Sequence, residues 1–362
     1  MKFTINSTDL SKAIDQGIKF VPNKPLMPIL ANIKLATTDS DMIRISAFDT
    51  PNGVELKILA DVLDDGEICV PAQLFSAIVK GMSGQLIIEV VDTLMTISNL
   101  SGSCEIQCQE SSEYPDIVPD DIDKTIQCEI DAKTFAQAIK LGGSCASDDT
   151  SKAILQGVNI VAENGLLTLA STNGHKLVVC KTTIDESIKI PSSTIPTKSL
   201  GTIEGSGMMT LTISDTDCMV ETGDTIITCR SFAGKYPDYP MLLPKSFTRN
   251  AVLDRAQLVD TLNLMSSIGN ENSLVKFVFA SDKLTVSSEK EGVKGECKIS
   301  CEMIGEELTI ALNLKYVLGQ LKTIPSQLIK ISMNDALMPL TIQPVDSNLD
   351  LLCLLMPVQL RS

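Results

Sequence analysis

Leu166-Leu167-Thr168-Leu169-Ala170-Ser171-Thr172-Asn173-Gly174-His175-Lys176-Leu177-Val178-Val179-Cys180 reads as strand, tight turn, strand. The flanks are rich in strand-forming residues and are broken only by Asn-Gly, the strongest short hairpin signal, because both turn positions favour positive φ. The stretch also carries His175, the only histidine in the chain. Taken alone, it is a hairpin tip with an incidental histidine, the ordinary case for a loop residue.

The turn recurs. Gly53, Gly174 and Gly292 are 121 and 118 residues apart and are expected at the same turn of three copies of one unit. Helix-face residues Leu10, Phe135 and Leu258 are separated by 125 and 123, strand residues Ile45, Leu169 and Val286 by 124 and 117, and the Tyr-Pro-Asp tyrosines Tyr114 and Tyr236 by 122. A period of that length is one small domain, and 362 residues exceed what one core usually serves. The expected domains are 1–120, 125–245 and 246–362, divided near the acidic run Pro119-Asp120-Asp121-Ile122-Asp123 and near Pro244-Lys245.

Within the first unit, Lys2 to Asn6 alternates like a strand, and Leu10, Ala13, Ile14 and Ile18 form one helical face. Strands are expected at Ile29 to Leu35, Met42 to Ala47 and Val54 to Ala60, and Pro71 opens a second helix ending near Gly81. The same order returns with helices at Phe135 to Ile139 and after Pro196, and again at Arg255 to Met265 and Leu314 to Leu321. Two helices beside many antiparallel strands, three times over, imply an α+β unit with both helices on one side. Like units in a row make an arc.

Hydrophobic content of 44% with 21% charged residues is that of a folded chain, and 4% aromatics without tryptophan leave Ile, Leu, Val and Met to build the cores. No signal-like run follows Met1, and the apolar run Leu351 to Val358 is far short of the roughly 20 residues that span a bilayer, so a cytoplasmic protein without membrane attachment is expected. Eleven scattered cysteines suit reduced thiols used as small buried hydrophobes. The formal charge of −15 argues against bulk attraction to nucleic-acid phosphates, so any DNA role must rest on a local basic surface or on shape.

The sequence carries none of the usual catalytic motifs. Neither Gly142-Gly143 nor Gly205-Ser206-Gly207 precedes the Lys-Ser/Thr of a phosphate loop, there is no GxSxG, and no spacing gives His175 a triad partner. The acidic pairs Asp120-Asp121, Asp148-Asp149 and Asp215/Asp217 could bind magnesium, but each sits in a turn or linker where solvated carboxylates are ordinary. Neither cofactor nor metal is expected. Lysines dot the helices (Lys12, Lys19, Lys80, Lys133, Lys140, Lys198, Lys315, Lys322), whereas arginine, the better phosphate fork, supplies only five of thirty basic residues.

Five stretches, taken in order, resemble one family: Lys24-Pro25-Leu26-Met27-Pro28-Ile29-Leu30, Val70-Pro71-Ala72, Thr172-Asn173-Gly174-His175-Lys176-Leu177, Tyr236-Pro237-Asp238-Tyr239 and Met356-Pro357-Val358-Gln359-Leu360. The chain is similar throughout to the bacterial DNA polymerase III sliding clamp, the β subunit of the replicative polymerase. The resemblance implies the DNA clamp fold, three similar domains per chain, and a head-to-tail homodimeric ring with helices lining the hole. It implies a processivity factor that encircles double-stranded DNA without sequence preference and performs no catalysis. The ring tethers the polymerase catalytic subunit, the clamp loader and other clamp-motif proteins.

The family's partner groove, carried over by position, is lined by Leu155, Thr172, Gly174, His175, Lys176 and Leu177. Pro237, Met241, Leu242 and Tyr316 follow, with Leu354, Met356, Pro357 and Val358 at the C-terminal end. Such an apolar set with a few polar groups suits hydrophobic peptide anchors. Lys176 stands where many members have arginine, and Pro240-Met241 where many have a basic residue, which favours a more apolar peptide. Lys24, Lys80, Lys152 and Lys198 are the expected DNA contacts, with Asp149 in place of a neutral residue. Ile106, Met265 and Ile268 are the expected ring contacts. Against this stand an enzyme acting on nucleic acid, which needs a metal or nucleophile site, and a repeat scaffold that binds proteins without DNA.

Overall fold

The computed structural model describes residues 1–38, 41–118, 126–203, 206–214, 216–269, 274–347 and 349–359, without the side chain of Lys198. Its elements follow the repeat. The first set is β1 (Lys2–Asn6), α1 (Ser7–Ile18), β2 (Asn32–Thr38), β3 (Met42–Asp49), β4 (Asn52–Leu59), β5 (Asp61–Asp64), β6 (Glu67–Pro71), α2 (Ala72–Gly81), β7 (Gln85–Val91), β8 (Leu94–Asn99) and β9 (Gly102–Gln107). The second is β10 (Ile126–Asp131), α3 (Ala132–Gly142), β11 (Gly157–Glu163), β12 (Leu166–Thr172), β13 (Lys176–Thr183), β14 (Ile190–Pro196), α4 (Thr197–Leu200), β15 (Met208–Ile213), β16 (Asp217–Thr222) and β17 (Thr225–Arg230). The third is β18 (Arg249–Asp254), α5 (Arg255–Ile268), β19 (Leu274–Phe279), β20 (Lys283–Lys290), β21 (Val293–Ile304), β22 (Leu308–Asn313), α6 (Leu314–Thr323), β23 (Leu328–Met333), β24 (Leu340–Pro344) and β25 (Asp350–Leu355).

The three leading helices start alike. Asn6, Asp131 and Asp254 each accept a backbone N–H from the first turn, satisfying a donor that the helix leaves orphaned. Four residues on, Leu10, Phe135 and Leu258 are fully buried. The period read from the sequence is therefore a period of caps and core positions.

By contact the chain forms two compact units, Met1–Ala136 with Lys198–Ser231, and Gln137–Thr197 with Phe232–Ser362. In the first unit the sheets run β5-β1-β7-β8-β9 and β10-β15-β16-β17-β4-β3-β2-β6; in the second a twelve-stranded sheet runs β14-β11-β12-β13-β25-β24-β23-β18-β21-β20-β19-β22. The middle repeat is divided because its strands finish ladders of both neighbours: β17 pairs with β4 and β13 with β25, all antiparallel. Backbone hydrogen bonding across the repeat borders fixes these units, and hydrophobic periodicity does not reveal it.

Two local expectations differ from the structure. Pro28–Ala31 is a 3-10 turn and the strand begins only at Asn32, because Pro28 fixes φ and brings no donor. Gly53 is not a turn residue: it lies inside β4, after a turn at Thr50-Pro51. A Cβ at Gly53 would sit 2.3 Å from the Ile117 side chain, so close approach is what requires glycine there. Gly174 and Gly292 do have positive φ, +92° and +83°. Among the described residues, no helix is long and apolar enough to cross a membrane.

Candidate functional site

The Asn-Gly hairpin turns one residue later than the dipeptide suggests. Asn173 donates its N–H to the Lys176 carbonyl at 3.3 Å, so the two turn residues are Gly174 and His175. Asn173 Oδ1 accepts from the amides of His175 and Lys176, both at 3.0 Å, an Asx arrangement that stands in for backbone pairing. Beneath it, Thr172 Oγ1 donates to the Lys176 carbonyl at 2.7 Å and accepts from the Gly174 amide at 3.0 Å. The Thr172 amide donates to the Tyr236 hydroxyl at 3.0 Å. Burial pushes the Tyr236 phenol up to about 12, against the pull of that amide, so it remains a neutral acceptor.

β25 runs beside the hairpin with Leu177 opposite Leu354 and Lys176 opposite Leu355. The ladder continues past the strand: Met356 donates its N–H to the His175 carbonyl at 2.9 Å, and Val358 donates to the Ala311 carbonyl at 2.8 Å. α6 supplies another wall, with the Tyr316 ring stacked on His175 at 5.9 Å between centroids and 17° between planes. The segment after Tyr236 folds into a short turn, Tyr239–Leu242, that leaves Met241 and Leu242 82% and 57% exposed. Tyr239 and Leu243 pack on the buried cluster of Ala170, Leu177, Val179 and Leu354.

The residues expected to line one groove thus sort by depth. His175, Met241, Leu242 and Met356 are exposed, and Lys176, Tyr316, Pro357 and Val358 half-buried. Leu177 and Leu354 are core, at 1% and 2% exposure, with Thr172 also buried, so they form a floor and cannot be swapped freely. Pro237 is exposed, and its carbonyl accepts the Tyr239 amide. Leu155 is half-buried in the 3-10 turn Ala153–Gln156, where its carbonyl accepts from Ser147; no hydrogen bond joins it to the hairpin.

One residue of the site escaped the sequence reading. Gln320, one helical turn beyond Tyr316 and 2% exposed, donates through Nε2 to the carbonyls of Leu177 (3.1 Å) and Leu354 (3.2 Å) and lies 3.3 Å from Cys145 Sγ. It ties α6 to both strands of the floor, while its Oε1 is buried without a partner. Lys176 Nζ donates to the Ser144 carbonyl beside it, and burial pushes the Cys145 thiol up, so the sulfur is uncharged. A glutamine among Leu314, Val317 and Leu321 on the buried helical face was the available signal.

Three family models match in chain order: the DNA polymerase III beta subunit N-terminal domain over residues 1–118, its central domain over 129–238 and its C-terminal domain over 241–359. The Beta sliding clamp of Synechocystis sp. is 30% identical over 393 residues, covering 99% of this chain and 100% of its own length. The chain belongs to the β sliding clamp family. The Beta sliding clamp of Synechococcus elongatus is 27% identical over 382 residues, covering 100% of both chains. The fold is also that of the DNA polymerase sliding clamp crystal structure from Bacillus subtilis, with a TM-score of 0.89 over 100% of both chains at 24% identity. It is the three-domain clamp fold of helices and antiparallel sheets, and the family role is that of the non-catalytic processivity subunit of the polymerase holoenzyme.

In this sliding clamp the expected DNA lysines differ in freedom. Lys24 and Lys152 are exposed, Lys80 is held by Asp15 at 2.6 Å, and the side chain of Lys198 lies outside the described residues. Of the expected ring contacts, Ile106 and Met265 have their side chains in the core, at 1% and 0% exposure. Ile268 is half-buried and packs against Gly295, where a Cβ would lie 2.0 Å from its Cδ1. Among the described residues no three metal-binding side chains converge; Asp149 is turned onto the amide and hydroxyl of Ser151, and Asp120, Asp121 and Asp215 lie outside the described residues.

Proposed function

We propose that two copies of this chain close head to tail into a ring that encircles duplex DNA in the cytoplasm and slides along it. The ring tethers the polymerase catalytic subunit, the clamp loader and other motif-bearing proteins through the hairpin, α6 and Met356–Val358 groove. The observation that carries this reading is the family match over the whole chain, joined to a groove whose rim is exposed methionine and leucine on a hydrogen-bonded floor. Domain limits of 1–120, 125–245 and 246–362 go with it. A ring held by closure needs little phosphate affinity, so the charge of −15 does not oppose it. Clamps loaded on nicked circular DNA should stay bound through a high-salt wash and leave when that DNA is linearised; equal retention on both forms would refute encirclement.

The ring contact falls on two backbone edges that no strand covers among the described residues. β9 ends its sheet, and Val293 to Ser300 of β21 pair with β20 on one side, while β18 takes up only Cys301 to Ile304. Strand addition between copies would satisfy both edges. The exposed residues of β9, Ser103, Cys104, Glu105 and Gln107, then meet the partner, and Ile106 braces the strand from within. Glu105→Pro should block the ladder and shift the protein from dimer to monomer at micromolar concentration in sedimentation, with both cores intact. An unchanged dimer would place the contact elsewhere.

A further inference from the structure

The frame that builds the groove in the second unit is repeated in the first, where it encloses a cavity. There, β3 and β4 correspond to β12 and β13, β16 and β17 to β24 and β25, and the Tyr114 segment to the Tyr236 segment. The directly opposed pair Cys218 and Cys229 matches the pair Ile342 and Cys353, each residue 124 positions earlier. The copies diverge at the turn. β17 pairs with β4 only as far as Thr228 opposite Gly53, whereas β25 keeps its partner to Leu355 and beyond. Pro51 stands where the ladder would continue and has no N–H to give. Cys229 and Arg230 therefore pass the turn unpaired with it, and a cavity of about 250 Å³ opens between them, Phe48, Pro51 and Ile117.

The cavity has a firm base and a charged mouth. Thr228 Oγ1 donates to the Ile117 carbonyl at 3.3 Å, which holds the overlying segment in place, and Ile117 itself is buried against Gly53. Cys218 and Cys229 are 1% and 2% exposed, and the hydrogen bond with the Cys229 sulfur, with burial second, keeps the Cys218 thiol protonated, so the floor is uncharged. At the mouth stand Asp116, Asp217 and Arg230. Arg230 is matched by Asp217 at 3.8 Å, whereas exposed Asp116 forms no ion pair among the described residues. The three charged residues that line the cavity sum to one negative charge, while on its other side Asp116 borders a second cavity with Lys34, Arg44 and Glu55.

We propose that this cavity is a second binding site of the clamp, which takes one large apolar side chain of a short linear peptide whose neighbouring residue is lysine or arginine. A volume of about 250 Å³ admits a leucine or phenylalanine side chain, and Asp116 lies at the mouth to meet the cation. The site shares no residue with the groove of the second unit. Its occupant differs because the rim here is carboxylate, not methionine.

The test uses the full-length protein and a fluorescein-labelled hexapeptide, Gly-Lys-Leu-Phe-Gly-Gly, with a second peptide bearing glutamate in place of lysine. Thr50 is exposed at the mouth, so Thr50→Trp should close it and weaken the lysine peptide at least tenfold without lowering the melting temperature. Asp116→Asn, which alters no packing, should weaken it about threefold, as loss of one exposed charge contact does. The glutamate peptide should bind more weakly than the lysine peptide. Met241→Ala with Met356→Ala should leave binding at this cavity unchanged. Binding insensitive to both Thr50→Trp and Asp116→Asn, or equal binding of the two peptides, overturns the proposal. Loss confined to the methionine variant would assign the peptide to the groove, leaving the groove reading intact and this one refuted.

Discussion

Gln320→Glu should destabilise the second unit by about 3–5 kcal/mol at neutral pH, as an unpaired buried charge does. The wild-type amide sends its NH2 to two backbone carbonyls at 3.1 and 3.2 Å in a site of 2% exposure. A carboxylate there meets two acceptors with none of the donors it needs. Protonation would restore one donor, so the pKa of the new acid should rise on folding. A raised folded-state pKa gives stability that is present at acid pH and lost as pH rises, so the deficit should shrink on acidification. Gln320→Leu keeps the volume, removes the orphaned Oε1 along with the donor, and should cost only about 1–2 kcal/mol. Denaturant unfolding from pH 5 to 8, with hydrogen exchange on β13 and β25, measures both. A glutamate variant as stable as wild type at pH 7 would show that Gln320 does not brace the floor.

Met241→Ala with Met356→Ala should weaken a peptide from the replicative polymerase by about 100-fold, two apolar anchors at about 1.5 kcal/mol each, with thermal stability unchanged. Both side chains are exposed, 82% and 41%, so their loss leaves no cavity in the folded chain. Leu177→Ala should behave oppositely. At 1% exposure beside Leu354, its truncation empties core volume and should cost about 2–5 kcal/mol of stability, so any loss of binding would follow loss of structure. Titration by fluorescence anisotropy beside melting curves separates the two. Undiminished affinity in the methionine pair would move the peptide site away from Met356.

Much of this was legible in the sequence because repetition multiplies weak signals. One amphipathic helix is a guess; Leu10, Phe135 and Leu258 at matched spacing define a unit. The same logic singles out His175, since the residues after Gly53 and Gly292 are valines. Gly53 shows the limit of that logic. Its spacing fits the turn glycine, yet its backbone is strand and its need for glycine comes from Ile117, which lies 64 residues away in sequence.

What the sequence determined alone is the period of three, the helices and the resemblance that names the family. These follow from local backbone preference and from the 3.6- and 2-residue periods, which act within a few residues. Only the tertiary structure decided which strands close which sheet, so that β17 completes the first unit and β13 joins the last. It also decided that Leu177 and Leu354 are floor and Met241 and Met356 rim, and it brought Gln320 beneath both strands. Those outcomes depend on hydrogen bonds and packing between residues from 34 to more than 170 apart, to which no local pattern answers. The histidine hairpin is thus a turn by its own sequence, and one wall of a site only through β25 and α6.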